Sequence, residues 1–561
     1  MGCLALRVFV LVMMQQTAGA IPPEAIFHDP NDIFYVNPQV GELRLRVARD
    51  NIEQAFAASG ARVVKMDVGH RDKDFEYYVA SMGVFDSTLA YKFIVTRGTD
   101  TLSIPDQNYF RPLARTMKIP EWAAGRTYYY ITVDGFSNGD ALNDPERTNE
   151  WGRPPSNWLP YGGDLKGIIE RSAYLDSLGP DIIILSPIFT AASNHKLNPR
   201  DFATIDAAYG DTNDLKRLIE EVHSMRKKIV LHIVVTHTGN DFPAFIDITS
   251  KQGASGYADW YRILSMPSQP GGFKYRAWRS DMRFPLLNLR NRQLQDYLID
   301  FIDYWARFGF DGFYFGESEE IDGNFMGRLY EHVRARYPDL LIISTDRRLP
   351  RTNGADACYD RQFTRDLRAY FVDNTLTTAA FDSIINRMLF FNPAQVNRVN
   401  LIGLHDHDQR IAYAVDDRVL ELMYAFVFTY CGSPMLLCGD EVGMQTSAPL
   451  NWGSFPWNAR EQNRRLLHRL RGLIRMRRES RHLTGRHFFT LYTDDIKKVY
   501  AYDRGGVITV LNCNPAQVFV KLPAWDGTYL DLMSGEKYIA YAQTLKLSVD
   551  ALSYRILKRE I

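Results

Sequence analysis

Short apolar strands alternate with amphipathic helices between residues 127 and 480 of this chain. Strands are predicted at 128–133, 182–185, 229–235, 312–315, 340–343, 399–403 and 434–437, with another near 357–359. Helices are predicted at 165–178, 214–224, 293–307, 324–337 and 420–429. Because a connecting helix returns the chain so that the next strand runs in the same direction, this alternation predicts a parallel sheet. A total of roughly eight strands favours a (β/α)₈ barrel over an open sheet, so the predicted fold class is α/β.

The regions that flank the predicted barrel have strand character. On the amino-terminal side, runs at 42–47, 61–68 and 89–96 are separated by Asp, Gly and Asn turns, which predicts an antiparallel β-sandwich. On the carboxyl-terminal side, strand-like runs follow a basic helix that ends near Glu479. The predicted domains are an N-terminal β-sandwich at 21–117, a barrel at 118–482 with a small insertion at about 238–288, and a C-terminal β-sandwich at 483–561.

Residues 1–20 resemble a secretory signal peptide. Arg7 precedes an apolar run at 8–14, and Ala18-Gly19-Ala20 fits an Ala-x-Ala cleavage site. We therefore expect a secreted or periplasmic protein. A mis-assigned start codon, with a cytoplasmic location, is the alternative. No other stretch is apolar and long enough to predict a transmembrane segment.

The charge balance makes nucleic acid an unlikely class of partner. The chain has 66 Lys and Arg residues and 66 Asp and Glu residues, so its formal net charge is zero. Long-range attraction to a polyanion needs an excess of positive charge, which the chain as a whole does not have.

Seven short motifs occur in order along the predicted barrel. They read Asp-Gly-Phe-Ser-Asn-Gly-Asp at 134–140, Gly-Gly-Asp-Leu at 162–165, Ser-Asn-His-Lys at 193–196, Pro-Leu-Leu-Asn at 285–288, Asp-Gly-Phe at 311–313, His-Asp at 405–406 and Gly-Asp-Glu at 439–441. Together they resemble the α-amylase superfamily, glycoside hydrolase family 13, and most of all its neopullulanase and cyclomaltodextrinase branch. The resemblance implies a barrel between two β-sandwich domains, an α-glucan or maltodextrin ligand, and a homodimer.

The two carboxyl groups that this family uses for catalysis are missing from their expected positions. Such enzymes need a nucleophile and a general acid about 5 Å apart. The resemblance places the nucleophilic Asp after the fourth strand, where this chain has Gly316, and the acidic Glu after the fifth strand, where it has Thr345. Loss of one member of a covalent catalytic set costs about 10⁶-fold in rate, or roughly 8 kcal/mol. The sequence therefore predicts a protein that does not cleave glycosidic bonds by the usual route.

Other positions that the resemblance assigns to the cleavage subsite are also changed. Tyr314 replaces an Arg, while His232 and Thr236 replace an Asp and an Asn. Leu197 stands where a Tyr would stack on the sugar. The retained residues that we predict to contact a sugar are His195, His237, His405 and Asp406.

A loop after the first strand offers several oxygen ligands and no His or Cys. Hard oxygen ligands in this number suit Ca²⁺. The resemblance makes the predicted ligands of a structural calcium ion Asn138, Asp140, Asn143, Asp144, Gly162 and Asp164. The alternative is a turn-rich loop in which Asp and Asn side chains cap their own backbone.

These observations predict an α-amylase-like pseudoenzyme that binds α-glucan. One alternative is an active maltodextrin or cyclomaltodextrin glycosidase or transglycosylase that uses the displaced carboxylates Glu317 and Asp346 beside Asp406. Against it, a step of one residue along a strand turns a side chain to the opposite face. The other alternative is a protein-interaction scaffold without affinity for sugar.

Overall fold

The computed structural model describes residues 21–560 except 31–33, 39, 72–73, 87, 113–118, 157, 252–253, 267–271, 352–353, 392–399, 407–408, 447–450 and 486. The predicted signal peptide lies outside the described residues. The chain divides into two compact units, Met1–Thr116 and Met117–Ile561. Among the helices of the described residues, none combines the length and the apolar character needed to cross a membrane.

The first unit contains an antiparallel sheet of eight strands within its described residues. Leu43, Leu45 and Val47 are fully buried and alternate with partly exposed residues, as expected for a strand with one face on the core. The strands are Ile26–Phe27, Val36–Asn37, Glu42–Ala48, Gln54–Ser59, Arg62–Arg71, Phe75–Ser81, Lys92–Arg97 and Asp100–Ile104.

The second unit begins with the predicted barrel, and its fold class is confirmed. Its eight parallel strands are Tyr128–Ile131, Ile182–Leu185, Lys228–Ile233, Gly312–Phe315, Leu341–Ser344, Ala357–Cys358, Leu401–Ile402 and Ser433–Leu437. We number these barrel strands first to eighth. Consecutive strands from first to sixth are neighbours, and the eighth lies between the first and the seventh. A parallel bridge between Tyr359 and Leu401 joins the sixth strand to the seventh and closes the sheet.

Helices follow most of the barrel strands. Within the described residues they are Val133–Phe136, Leu165–Glu170, Ser172–Leu178, Thr212–Ser224, Arg292–Ala306, Gly323–Arg336, Arg361–Phe371, Thr378–Phe391, Asp417–Thr429, Arg464–Glu479 and Arg481–Thr484. The predicted helix at 165–178 is interrupted at Arg171, whose φ and ψ are −99° and 12°. Between the third strand and Arg292–Ala306 lies an insertion with helix Pro243–Lys251 and the antiparallel pair Ile263–Ser265 and Lys274–Tyr275.

A second antiparallel sheet of eight strands follows the barrel within the described residues. Its strands are Phe489–Asp494, Val499–Asp503, Val507–Asn512, Val518–Pro523, Gly527–Asp531, Lys537–Tyr541, Thr544–Val549 and Ser553–Arg559. Buried Arg504 joins this sheet to the barrel helices because its guanidinium group donates to the carbonyl oxygens of Thr429, Leu483 and Gly485. The antiparallel sheet domain predicted at the carboxyl-terminal end is therefore present.

Candidate functional site

A cavity of about 100 Å³ lies at the carboxyl ends of the barrel strands, the face where TIM-barrel enzymes carry their active sites. Pockets for drug-sized ligands measure about 300–1,000 Å³, so this cavity is small for an oligosaccharide. The side chains that line it are Tyr130, Thr132, Asp134, Ser186, Asn194, His195, Leu197, Tyr209, His232, Tyr314, Glu317, Tyr359, Arg361, Leu437, Asn451 and Trp452.

The imidazole of His232 fills the space beside Gly316. A Cβ atom built on Gly316 would lie 3.1 Å from His232 Cε1 and closer still to Nε2, inside van der Waals contact. The ring is held in place, because its Nδ1 lies 2.7 Å from the Tyr130 hydroxyl and its centroid lies 4.8 Å from that of Tyr314. A carboxylate side chain at position 316 would therefore need the space that His232 occupies.

Thr345, at the predicted position of the general acid, is hydrogen-bonded away from the cavity. Its hydroxyl group donates to Glu319 Oε2 at 2.7 Å and accepts from the Ser318 amide at 2.9 Å. Its own amide donates to the Ser318 hydroxyl at 2.6 Å. The side chain is buried and does not line the cavity. In this position Thr345 joins two loops and offers no proton to a ligand.

Glu317 lines the cavity, contrary to the expectation from strand alternation. The alternation rule applies to extended backbone, and Glu317 has a left-handed φ of 55°. Its carboxylate accepts from the Arg361 guanidinium at 3.0 Å and from Trp278 Nε1 at 3.3 Å. Both members of the Glu317–Arg361 ion pair are mostly buried, with 13% and 15% of their side chains exposed.

Asp346, the other displaced carboxylate, lies outside the cavity lining. Both of its oxygens accept hydrogen bonds from the Arg348 guanidinium, at 2.6–3.0 Å. Its side chain is only 7% exposed. The structure therefore brings one displaced carboxylate, Glu317, to the cavity and holds the other in a separate ion pair.

Two of the histidines predicted to contact sugar are buried near the cavity and are neutral at pH 7. Burial lowers the pKa of His195 to about 3, and its Nδ1 accepts from the Leu197 amide at 3.1 Å. Burial also lowers the pKa of His237 to about 4, although the Glu317 carboxylate acts in the opposite direction. The His237 ring stacks on Trp278 at a centroid distance of 4.7 Å. Of these two histidines, His195 lines the cavity and His237 does not.

The predicted pair His405 and Asp406 forms a short antiparallel hairpin with Gln409 and Arg410. The structure describes the backbone of His405 and Asp406 but not their side chains. Arg410 is buried and donates to Asp440 Oδ1 at 2.8 Å and to the Cys438 carbonyl oxygen at 2.7 Å. These bonds fasten the hairpin to the end of the eighth strand.

Asp134 is a cavity carboxylate that our list of candidate residues did not include. It is 8% exposed, and burial raises its pKa to about 6. Hydrogen bonds from the Tyr161 amide at 2.8 Å and from Asn194 at 3.2 Å act against this rise. The sequence signal that could have identified Asp134 is its position just after the first barrel strand, because TIM-barrel enzymes place functional residues at the carboxyl ends of the strands.

The six predicted calcium ligands lie near one another after the first strand. Asn138 donates its amide N–H groups to both oxygens of Asp144, at 2.8 and 3.1 Å. Asp164 caps the helix Leu165–Glu170 and accepts from the backbone amides of Gly139, Asp140 and Gly167. Gly162 has a φ of 84°, and a Cβ there would meet the Asp144 carboxylate.

The donor set of this loop fits a cation in part. Asn143 Oδ1 is buried and has no hydrogen-bond partner among the described residues. Burial raises the pKa of Asp144, and the negative charges of Asp164 and Asp140 add to the rise. No group of three or more His, Cys, Asp or Glu side chains within the described residues could hold a metal ion by itself. A cation here would therefore depend on amide and carbonyl oxygens as well.

Comparison with known proteins identifies the family. Residues 130–366 match the model "Alpha amylase, catalytic domain". Neopullulanase 2 of Thermoactinomyces vulgaris is 30% identical over 449 residues, which cover 77% of this chain and 77% of that protein. The chain belongs to the α-amylase family. A cyclomaltodextrinase of Thermoanaerobacter pseudethanolicus is 29% identical over 547 residues, covering 90% of this chain and 95% of that protein. A solved cyclomaltodextrinase structure has a TM-score of 0.84 and 25% identity, covering 96% of this chain and all of that chain.

In this α-amylase-family protein, the positions that we predicted from the sequence to differ from the catalytic residues lie at the carboxyl ends of neighbouring barrel strands. His232 lies on the third strand, Gly316 follows the fourth and Thr345 follows the fifth. Because fold does not fix function, the site itself must decide what the protein does.

Proposed function

We propose that this protein binds α-glucan without hydrolysing its glycosidic bonds. The occupation of the Gly316 side-chain space by His232 carries the proposal. A retaining glycosidase needs a nucleophilic carboxylate and an acid about 5–5.5 Å apart. Gly316 supplies no nucleophile, and the Thr345 hydroxyl group is bonded to Glu319 outside the cavity.

An assay for reducing ends tests this proposal. The purified protein is incubated with cyclomaltodextrin, pullulan and p-nitrophenyl maltosides beside an active cyclomaltodextrinase as the positive control. We expect product formation at the level of buffer alone. Sustained release of reducing ends would contradict the absence of hydrolysis. Calorimetry with maltohexaose should show binding, and a wild-type protein that binds no glucan would favour the interaction-scaffold alternative.

An active glycosidase is a second candidate because Glu317 lines the cavity. Its carboxylate forms an ion pair with the Arg361 guanidinium at 3.0 Å. Such an enzyme would still need a proton donor, and Asp346 is held by Arg348 outside the cavity lining. Substitution of Glu317 by Gln in a preparation that shows turnover would test this route directly.

We also propose a structural calcium ion bound by the loop after the first strand. The support is the unsatisfied Asn143 Oδ1 and the crowding of Asp144 by Asp140 and Asp164. Oxygen donors from Asn138, Asp140, Asn143, Asp144, Gly162 and Asp164 would hold the ion. Its charge would offset the repulsion among the carboxylates and fasten the loop.

A secreted location and a homodimer remain predictions. Sequencing of the mature amino terminus and sedimentation would test them.

A further inference from the structure

A second, larger cavity of about 1,090 Å³ lies between the loop after the first barrel strand and the loop after the eighth. It is about ten times larger than the cavity at the barrel mouth, and its size is typical of a site for a sizeable ligand. We call it the side groove. Its lining includes Asn138, Trp151, Arg153, Gln445, Thr446 and Trp457.

The aromatic wall of the side groove is held rigidly. Trp151 is 37% exposed, yet its Nε1 donates to the Phe455 carbonyl oxygen at 2.8 Å. The next amide, of Gly152, donates to the Ser454 hydroxyl at 2.8 Å, which ties the loop after the first strand to the loop after the eighth. Trp457 Nε1 donates to the Phe136 carbonyl oxygen at 2.6 Å. An exposed indole with a fixed orientation offers apolar area to a ligand at little cost in conformational entropy.

The polar groups of the side groove favour a neutral ligand rich in hydroxyl groups. The exposed Gln445 amide and Thr446 hydroxyl can both donate to and accept from such a ligand. Both positive side chains of the lining already interact within the protein, since Arg153 pairs with Glu150 at 2.8 Å and the Arg171 guanidinium lies 4.0 Å from the Trp457 ring centroid. Glu461 adds a negative charge to the same lining. With Glu150 counted, two positive and two negative charges lie at the groove, so it has no net charge to attract an anion or a cation.

We propose that the side groove binds an α-glucan chain, with Trp151 as the flat surface on which a sugar ring packs. The inference rests on the proposed glucan binding and names where it takes place. The barrel-mouth cavity is too small for a chain of several sugar rings, whereas the side groove has the volume, the exposed indole and the hydrogen-bonding side chains. The protein would then retain glucan binding while its former catalytic position is filled.

Calorimetric titration of the full-length protein with maltohexaose tests the inference. We expect Trp151→Ala to weaken binding by tenfold or more, because an aromatic ring that a bound ligand covers contributes a large share of the binding free energy. Thr446→Arg, at an exposed lining position, should weaken binding by obstructing the groove without removing a core contact. Trp525→Ala is the matched control, because Trp525 is 71% exposed in the turn between strands Val518–Pro523 and Gly527–Asp531 and does not line the groove. Thermal melts of all variants check that they fold.

The outcomes separate the inference from the proposed function. Equal affinities of the wild type, Trp151→Ala and Thr446→Arg would overturn the side groove as the site. A loss of affinity in His195→Ala but not in Trp151→Ala would place the glucan at the barrel mouth and would overturn it too. Reducing ends are measured in the same samples, and their release by the wild type would overturn only the proposed lack of hydrolysis. Absence of any wild-type binding would overturn both the groove and the glucan ligand.

Discussion

Addition of one methyl group at position 316 tests whether His232 has taken the place of the family's nucleophile. The φ of Gly316 is outside the left-handed region, so alanine is compatible with the backbone. Its Cβ, however, would overlap the His232 ring, which is fixed by the Tyr130 hydroxyl and by Tyr314. Overpacking of a filled interior costs about 1–3 kcal/mol. We expect Gly316→Ala to lower the free energy of unfolding by that amount.

Gly316→Ala should raise the free energy of unfolding, instead of lowering it, once the His232 imidazole is removed. In a His232→Ala background the added Cβ meets no imidazole, and replacement of Gly by Ala at a compatible position stabilises by about 0.4–1 kcal/mol through the unfolded chain. The coupling free energy between the two positions should therefore be roughly 1.5–4 kcal/mol. A reversal of sign distinguishes steric exclusion from a general sensitivity of the site.

Urea unfolding of the four proteins in this cycle measures the coupling. Fluorescence and circular dichroism must give coincident transitions, because a chain with several domains can unfold in stages. Gly327→Ala is the matched control, since a Cβ there meets nothing within 4 Å and the residue lies inside the helix Gly323–Arg336. It should stabilise by about 1 kcal/mol. If Gly316→Ala changes stability equally in both backgrounds, the steric argument is refuted.

The remaining predictions concern the loop, a buried acid and the displaced carboxylate. Removal of calcium with EDTA should lower the melting temperature of the wild type but not of Asp144→Asn, and an unmoved wild-type melting temperature would argue against the ion. Burial raises the pKa of Asp134 from 3.8 to about 6, so folding favours its protonated form and stability is lost as pH rises through this interval. The wild type should therefore lose stability relative to Asp134→Asn between pH 4 and pH 7, and parallel melting curves would contradict this. Neither the wild type nor Glu317→Gln should release reducing ends from pullulan; wild-type turnover that Glu317→Gln abolishes would instead identify a displaced nucleophile.

The long barrel strands were predictable because they are buried on both faces. The runs Ile182–Leu185 and Gly312–Phe315 have the predicted bounds, as continuous apolar stretches in a parallel sheet should. The sixth and seventh strands have only two residues each, Ala357–Cys358 and Leu401–Ile402, so the pattern placed them only approximately. The break at Arg171 had no signal in the helical periodicity.

Several features of the site depend on contacts between distant segments and on local backbone angles. The motifs identified Gly316 and His232 as changed residues, but nothing in their positions along the chain shows that one fills the space beside the other. The cavity-facing position of Glu317 follows from its left-handed φ, which a strand pattern does not predict. Arg477 lies on the basic helix Arg464–Glu479, yet it is 1% exposed and donates to the carbonyl oxygens of Gly125 and Phe428, contacts that the charge pattern alone does not predict.

The residues at the carboxyl ends of the third, fourth and fifth strands are packed and bonded to one another, and this bears on the proposed lack of hydrolysis. The space beside Gly316 is filled by the His232 imidazole, which is hydrogen-bonded to Tyr130. Thr345 is hydrogen-bonded to Ser318 and Glu319. Glu317 forms an ion pair with Arg361. A carboxylate placed at 316 alone would overlap the imidazole of His232 in a buried site, where a charged group is costly to remove from water. A carboxylate placed at 345 alone would be close to Glu319, so like charges would oppose each other. If the proposed lack of hydrolysis holds, gain of this chemistry would require coordinated changes on the third, fourth and fifth strands, and we expect each single substitution to remain inactive.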